Sequence, residues 1–78
     1  MSKENTIQVY PNPTSEKLFI NSSNNASDIL IKNILGEKIL NKEFSDAIDI
    51  KDLPKGIYII EIYNMGVLLF QEKIIVNK

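Results

Sequence analysis

The carboxylates that could bind a cation in this chain are Asp46, Asp49 and Asp52, which recur at every third residue. A calcium loop instead places its acids at alternate positions around a central glycine. Because the spacing differs and no glycine stands among the three aspartates, the pattern favours a solvated loop. A structural cation stays the minor alternative.

Thr14 and Ser15 place two adjacent hydroxyls in a predicted turn, where a nucleophile would need a base beside it. The chain has no histidine and no cysteine, which removes the commonest general base, the thiol nucleophile and the usual transition-metal ligands. Its three glycines all fall at predicted turns, so there is no glycine-rich phosphate loop. We therefore expect no enzymatic activity, no metal and no cofactor, and hydroxyls that bond to turn backbone.

The composition is that of one small globular domain. The chain has 78 residues, of which 44% are hydrophobic and 24% charged, and its formal net charge is −1. All nine positive charges are lysines, so the bidentate guanidinium contacts that identify phosphates and bases are absent. Neither the charge nor the residue types predict a nucleic-acid partner or an anionic lipid surface.

The first residues predict a start or linker rather than a targeting segment. Residues 1–4 lack the apolar stretch of a signal peptide, and no run in the chain approaches the about 18 apolar residues of a membrane span. We therefore expect either a cytosolic protein or a piece of a longer exported chain. Residues 1–5 are interpreted as an expression start or linker remnant, and residues 6–78 as the domain.

Apolar residues alternate with polar ones along most of the chain, which is typical of half-buried strands. Turn signals recur every ~8–12 residues, including hairpin turns predicted at Ile34-Leu35-Gly36 and Asn64-Met65-Gly66. The pattern predicts an all-β fold: an Ig-like antiparallel β-sandwich of about seven short strands with Greek-key connections. The runs begin near Ile7, Leu18, Ile29, Ile39, Ile48, Tyr58 and Val67.

The Leu53–Ile62 segment predicts a turn that leads into a strand. Pro54 presets the φ of a turn, and Gly56 can adopt a positive φ. The spacing of Leu53, Pro54, Gly56 and Tyr58 resembles the tyrosine corner of Greek-key sandwiches. We expect Tyr58 to be mostly buried, with its hydroxyl bonded to backbone near Leu53 or Pro54.

The Pro11-Asn12-Pro13 segment has two interpretations. It is either a strand terminator that blunts a sheet edge, because proline cannot donate to a ladder, or a rigid recognition loop. Asn12 is restricted to an extended conformation because a proline follows it.

Two predicted strands carry apolar residues on both faces, although a sandwich of this size should leave the outer face of each sheet wet. The excess predicts either cover by loops or a contact surface, such as an edge open to strand addition. The strand after Gly56 places Tyr58, Ile60 and Ile62 on one face and Ile57 and Ile59 on the other. The last strand places Leu68, Phe70, Ile74 and Val76 on one face, and the candidate edge-strand contacts Val67, Leu69 and Ile75 on the other.

Four segments in order carry a resemblance that covers the chain from about Thr6 to Lys78. They are VYPNPTSEKLFI, IKNILGEKI, LPKGIYIIEI and KIIVNK. Together they resemble the C-terminal sorting domain of the type IX secretion system, type A, also called the Por secretion system C-terminal domain. The family pattern falls on Pro11, Asn12, Pro13, Gly36, Leu53, Pro54, Gly56, Tyr58 and Lys73.

The resemblance implies a secretion signal rather than an enzyme. Such domains follow a cargo domain, direct it from the periplasm through the outer membrane, and are then removed by a cell-surface sortase. The implied partners are outer-membrane translocon components, the sortase and the fused N-terminal cargo. The implied location is the periplasm in transit and then the cell surface or the extracellular space.

A second class of function stays open, since one fold hosts many functions. A glycan-binding or adhesive β-sandwich would need exposed aromatic residues beside polar groups, and the chain has three tyrosines and no tryptophan. The exposed edge of the last strand could also pair two copies of the isolated domain at high concentration.

Overall fold

The structure, a computed structural model, describes residues 7–22 and 25–78. The predicted linker remnant at 1–5 lies outside these residues. The described part contains seven strands: β1 (Ile7–Tyr10), β2 (Lys17–Ser22), β3 (Asp28–Asn33), β4 (Lys38–Glu43), β5 (Ala47–Asp49), β6 (Gly56–Asn64) and β7 (Val67–Val76). Within the same residues, no helix has the length and apolar character to cross a membrane.

The strands form two antiparallel sheets, which confirms the predicted sandwich. One sheet has three strands in the order β1-β2-β5, and the other has four in the order β4-β3-β6-β7. In the constant-type immunoglobulin arrangement the fourth strand joins the first sheet. Here it stays beside β3, joined by the antiparallel pairing of the two strands.

The core lies between the two sheets and is built mainly from isoleucine. The inward phase of each strand supplies it, as in β6, where Tyr58, Ile60 and Ile62 are buried. Isoleucine is stiff at χ1 and favours strands, and burying such a side chain fully stabilises the fold by about 1.5–3 kcal/mol. The largest fully buried side chains among the described residues are Leu18, Ile29, Ile31, Ile48, Ile50, Ile60, Ile62, Ile74 and Val76.

Both predicted hairpin turns are confirmed. Gly36, with a φ of 88°, closes the β3–β4 hairpin by donating its N–H to the carbonyl of Asn33. Met65 and Gly66 have φ values of 51° and 86° and join β6 to β7, and a two-residue loop with positive φ at both positions matches the twist of a hairpin.

The tyrosine corner is also confirmed. The Tyr58 hydroxyl donates to the carbonyl oxygen of Pro54 at 2.7 Å, and the Tyr58 side chain is buried. Leu53 is buried in the core beside it. Gly56 has a φ of 158°, which is close to extended backbone, and it opens β6.

One part of the predicted face assignment in the last strand is wrong. A β-bulge shifts the register so that Phe70 pairs with Ile62, whereas Leu68 pairs with Tyr63 on the outer face. Leu69 and Phe70 both pack against the core. Because a bulge inserts one extra residue, side chains beyond it change face. Leu68 therefore belongs to the outer face, and Leu69 is not an outward contact.

Replacing the corner tyrosine tests its hydroxyl bond. Tyr58→Phe should lower the free energy of unfolding by about 1 kcal/mol, because it removes one hydrogen bond to a backbone carbonyl while keeping the buried ring. Urea denaturation measures the change, and Tyr10→Phe is the matched control because Tyr10 is half exposed. Equal urea midpoints for Tyr58→Phe and wild type would show that the bond contributes nothing.

Candidate functional site

The outer edge of β7 is the place where the segment between β1 and β2 meets the last strand. β7 ends the order of the four-stranded sheet, with β6 on its inner side. On its outer side Thr14 forms a parallel bridge with Val76. The Thr14 N–H donates to the carbonyl of Ile75 at 2.9 Å, and the Asn77 N–H donates to the carbonyl of Thr14 at 2.7 Å.

Asn12 extends this pairing with its side chain. Its Nδ2 donates to the carbonyl oxygen of Lys73 at 3.0 Å, and its Oδ1 accepts the N–H of Ile75 at 3.0 Å. A longer contact of 3.3 Å joins Nδ2 to the carboxylate of Glu72. A primary amide carries the same donor and acceptor as a peptide group, so Asn12 occupies the place of a partner strand.

The segment Pro11–Thr14, named here the edge cover, crosses from one sheet to the other. β1 pairs with β2 in the three-stranded sheet, and four residues after its end Thr14 pairs with β7 in the other. β1 ends at Tyr10, as the prolines predicted. The edge-blunting interpretation of Pro11-Asn12-Pro13 is therefore confirmed, and the edge that the segment blunts belongs to β7.

In the part of the chain that the structure describes, the rest of this edge carries no such cover. Among the described residues, the edge cover bonds to the backbone of β7 only from Lys73 onward, and its one contact before that point is with the Glu72 side chain. A groove of about 420 Å³ adjoins this edge at Glu72, where the cover ends, and is otherwise lined by Ile7, Gln8, Val9 and Tyr10 of β1. The open side of the sandwich thus has both an exposed strand edge and space next to it.

The strand registers bring most of the predicted motif positions to one end of the four-stranded sheet. Asn33, which precedes the hairpin of Gly36, pairs with Tyr58, and Tyr58 pairs with Ile74. Gly56 pairs with Val76, next to the edge cover. We name this the motif end; the Met65–Gly66 hairpin lies at the opposite end of the same sheet.

The predicted contact residues of β7 lie in three different environments. Lys73 and Ile75 are exposed at the motif end, where Ile75 pairs with the exposed Ile57. Val67 is exposed at the hairpin end, with 62% of its surface accessible. Leu69 packs against the core, as described above. Lys73 and Ile75 are therefore the members of the set that lie together on an accessible surface.

A buried carboxylate that was not predicted as a site residue lies in the middle of this sheet. Glu61 accepts hydrogen bonds from the Tyr63 hydroxyl at 2.7 Å and the Gln71 amide at 2.8 Å, and it forms an ion pair with Lys32 at 3.0 Å. Its sequence signal is a single charge inside the apolar run of β6. The three partners come from β3, β6 and β7, so Glu61 ties the sheet together.

These contacts shift the pKa of the Glu61 carboxyl and the pKa of the Tyr63 hydroxyl in opposite directions. The hydrogen bond from Tyr63 lowers the pKa of Glu61; burial opposes this effect, and Lys32 and Gln71 add to it. The same bond raises the pKa of the Tyr63 hydroxyl. Glu61 therefore stays ionised, and its charge is neutralised within the sheet instead of being offered to a ligand.

Thr14 and Asp49, two of the candidate residues for chemistry, form local contacts. The Thr14 hydroxyl donates to the carbonyl of Lys17 at 2.7 Å, and Thr14 is buried. Asp49 accepts the N–H of Lys51 in a turn. Across residues 7–22 and 25–78, no three acidic side chains come close enough to hold a metal ion.

An exposed aromatic pair lies on the other sheet. Tyr10 and Phe19 face each other across β1 and β2, with ring centroids 5.9 Å apart and planes inclined at 28°. Both rings are exposed. This is the kind of surface that the glycan-binding alternative requires, although it lies apart from the motif end.

Comparison with known proteins identifies a family across nearly the whole chain. The family model described as the secretion system C-terminal sorting domain matches residues 8–77. The match includes the edge cover, the tyrosine corner and all but the first residue of the strands. No curated protein matches the chain.

The Glu61 contacts predict a pH-dependent contribution to stability. Since folding lowers the pKa of Glu61 from its ordinary value of 4.5, its contribution is complete above that value and disappears as the pH falls through the folded-state pKa. Glu61→Gln should lower the free energy of unfolding by about 1–3 kcal/mol at pH 7. The difference from wild type should shrink in urea titrations at pH 3.

Glu43→Gln is the matched control, because Glu43 is an exposed glutamate on β4 of the same sheet. It should leave the urea midpoint close to that of wild type at both pH values. A Glu61→Gln deficit of the same size at pH 7 and pH 3 would contradict a role for the carboxylate charge.

Proposed function

Because the chain belongs to the family of secretion system C-terminal sorting domains, we propose that it carries a protein fused upstream of it through the outer membrane. The domain is a C-terminal sorting signal of type IX secretion, which directs export toward the cell surface or the extracellular space. The observation that carries the proposal is the match over residues 8–77.

The domain acts as a ligand of the export machinery and not as an enzyme. The hydroxyls of Thr14 and Tyr58 and the buried carboxylate of Glu61 are engaged with neighbouring groups of the fold. The features available to a partner are an exposed sheet edge with its backbone groups and an exposed apolar face. A machine that recognises shape requires a folded domain, so stability and export should be linked.

The motif end is the surface that translocon components bind. Lys73 supplies a positive charge on a flexible stem there, and Ile57 and Ile75 form an exposed apolar cross-strand pair. An exposed charge beside exposed apolar side chains gives a partner both an anchor and an orientation. Among the described residues the Lys73 side chain forms no hydrogen bond or ion pair, whereas its backbone carbonyl accepts from Asn12.

A cell-surface sortase then removes the domain from its cargo. Cleavage upstream of β1 leaves the sandwich whole, because the seven strands share one core and β1 contributes Ile7 and Val9 to it. Cleavage inside the domain would require unfolding first. The cargo, anchored or released, thus leaves the domain as an intact by-product.

Transport of a reporter tests the main proposal. The domain, fused behind a signal peptide and a folded reporter, should bring the reporter to the surface of a bacterium with a compatible type IX machine. Surface labelling and cell fractionation measure the exported fraction. Retention of the folded fusion in the periplasm, in a strain that exports its own cargo, would contradict the proposal.

Single substitutions on β7 test the recognition surface. Lys73→Ala and Ile75→Asp should each reduce export of the fusion several-fold, because they remove the charge or the apolar contact at the motif end. Lys73→Ala should change the free energy of unfolding by no more than about 0.5 kcal/mol, as is usual for surface positions. Lys42→Ala, an exposed lysine on β4 at the far edge of the sheet, is the matched control.

Normal export of both Lys73→Ala and Ile75→Asp would exclude this surface. Reduced export of Lys42→Ala to the same extent would assign the effect to net charge instead.

A further inference from the structure

The edge cover occupies only part of the outer side of β7. Its bonds reach Lys73, Ile75 and Asn77, whose backbone groups point away from β6. In an antiparallel ladder these outward groups recur at every second residue, so Gln71 presents its N–H and carbonyl on the same side. The edge therefore continues beyond the cover toward the bulge.

The cover is a short substitute for a strand. Its bonds to the backbone of the last residues number four: two involve the Asn12 amide, and two involve the backbone of Thr14. The flanking prolines have no N–H, so Pro11 and Pro13 cannot add donors to the pairing. A continuous extended segment could make the same bonds from its main chain and add others along the open part of the edge.

Space for such a segment exists beside the edge. The groove of about 420 Å³ runs between β1 and Glu72, and Glu72 belongs to β7. A strand laid against the open part of β7 would enter this groove and contact the Tyr10 and Gln8 side of β1. The groove therefore lies next to the outward backbone groups of Gln71 that the edge cover does not reach.

We propose that the outer edge of β7 is a strand-acceptor site for an extended segment of a partner polypeptide, which pairs with it after displacing the edge cover. The inference rests on the proposed function, because the partner belongs to the export machinery. The partner segment should be extended, because a strand edge presents alternating N–H and C=O groups and an extended main chain has the matching acceptors and donors at the same spacing.

A heterologous segment fits this site better than a second copy of the chain. Two copies paired through β7 would have to displace two edge covers, whereas a partner strand displaces one. The edge cover also gives the site a default state in which the donors at Ile75 and Asn77 are satisfied. That state protects the edge from indiscriminate pairing before the partner arrives.

Amide hydrogen exchange of the isolated 78-residue chain measures how often the edge cover opens. The Ile75 N–H is held by the Asn12 side chain, while the neighbouring Ile74 N–H points inward to β6. The Ile75 amide should exchange at least tenfold faster than that of Ile74, because the cover opens without global unfolding. Asn12→Ala should accelerate Ile75 further and leave Ile74 unchanged. Equal protection of the two amides in wild type would overturn the proposal.

A disulfide that locks the cover tests displacement during export. Thr14 and Val76 form a bridged pair, and neighbouring strands lie about 4.8 Å apart, within the range that a disulfide can span. The chain has no cysteine of its own, so Thr14→Cys with Val76→Cys would pair with each other in the oxidising periplasm. The locked fusion should be exported at least tenfold less than the same double-cysteine fusion kept reduced, because the two samples share the substitutions and differ only in the disulfide.

The matched control is a disulfide that leaves the edge of β7 free. Phe19→Cys with Ala47→Cys joins β2 to β5 in the other sheet, where the two residues are paired. This variant should be exported like wild type, which separates locking of the cover from a general effect of a cross-link. Thiol labelling confirms that both disulfides have formed.

Export and exchange measurements together distinguish a failure of the strand-acceptor site from a failure of the sorting function. Normal export of the locked fusion would overturn the strand-acceptor site while the sorting function stands. Retention of wild type and control alike would remove the sorting function, and the exchange rates of Ile75 and Ile74 would then decide the displaceable cover alone. If the isolated domain forms a dimer that the Thr14→Cys/Val76→Cys disulfide dissociates, and export of the locked fusion is normal, the edge pairs with a second copy and the proposal is overturned.

Discussion

The end of β7 is where the fold is held together. Val76 is fully buried, pairs with Gly56 of β6 on one side and is bridged by Thr14 on the other. Through Thr14 the first strand, which belongs to the opposite sheet, is attached to the last. Thr14 and the Asn12 side chain together join the two sheets on this side by hydrogen bonds to the backbone of the last residues. A domain of 78 residues has little core to spare, so a backbone link between its layers carries unusual weight.

The two sheets have different outer faces, although they share one core. The four-stranded sheet neutralises its central carboxylate internally through Lys32, Tyr63 and Gln71, and it presents apolar residues near its motif end. The three-stranded sheet presents the aromatic pair of Tyr10 and Phe19. The ion pair binds strands that come from distant parts of the chain, so it contributes to register as well as to stability.

Local patterns were enough to predict most of the fold. Alternation and turn residues predicted the seven strands, both hairpins and the bond of the Tyr58 hydroxyl, because each depends on residues close together in sequence. The bulge in β7 left no signal in a period-2 pattern, so Leu68 and Leu69 were assigned to the wrong faces. The face of a residue beyond a bulge depends on the partner strand.

The candidate site was less accessible to sequence reasoning. Pro11-Asn12-Pro13 was recognised as an edge feature, but its partner lies some sixty residues away, at Lys73 and Ile75. Glu61 was missed because its three partners come from separate strands. Such contacts depend on topology, and topology follows from the packing of the whole chain rather than from any one segment.

The separation of the motif end from the Met65–Gly66 hairpin has a consequence for how the domain can vary. Motif positions constrain one end through the edge cover, the corner and Val76, while the hairpin tip is exposed and needs only two residues that tolerate positive φ. Insertions and substitutions should therefore be tolerated better at that tip than at the motif end. The two ends of the four-stranded sheet therefore tolerate change to different degrees, and a label or an insertion is best placed at the Met65–Gly66 tip.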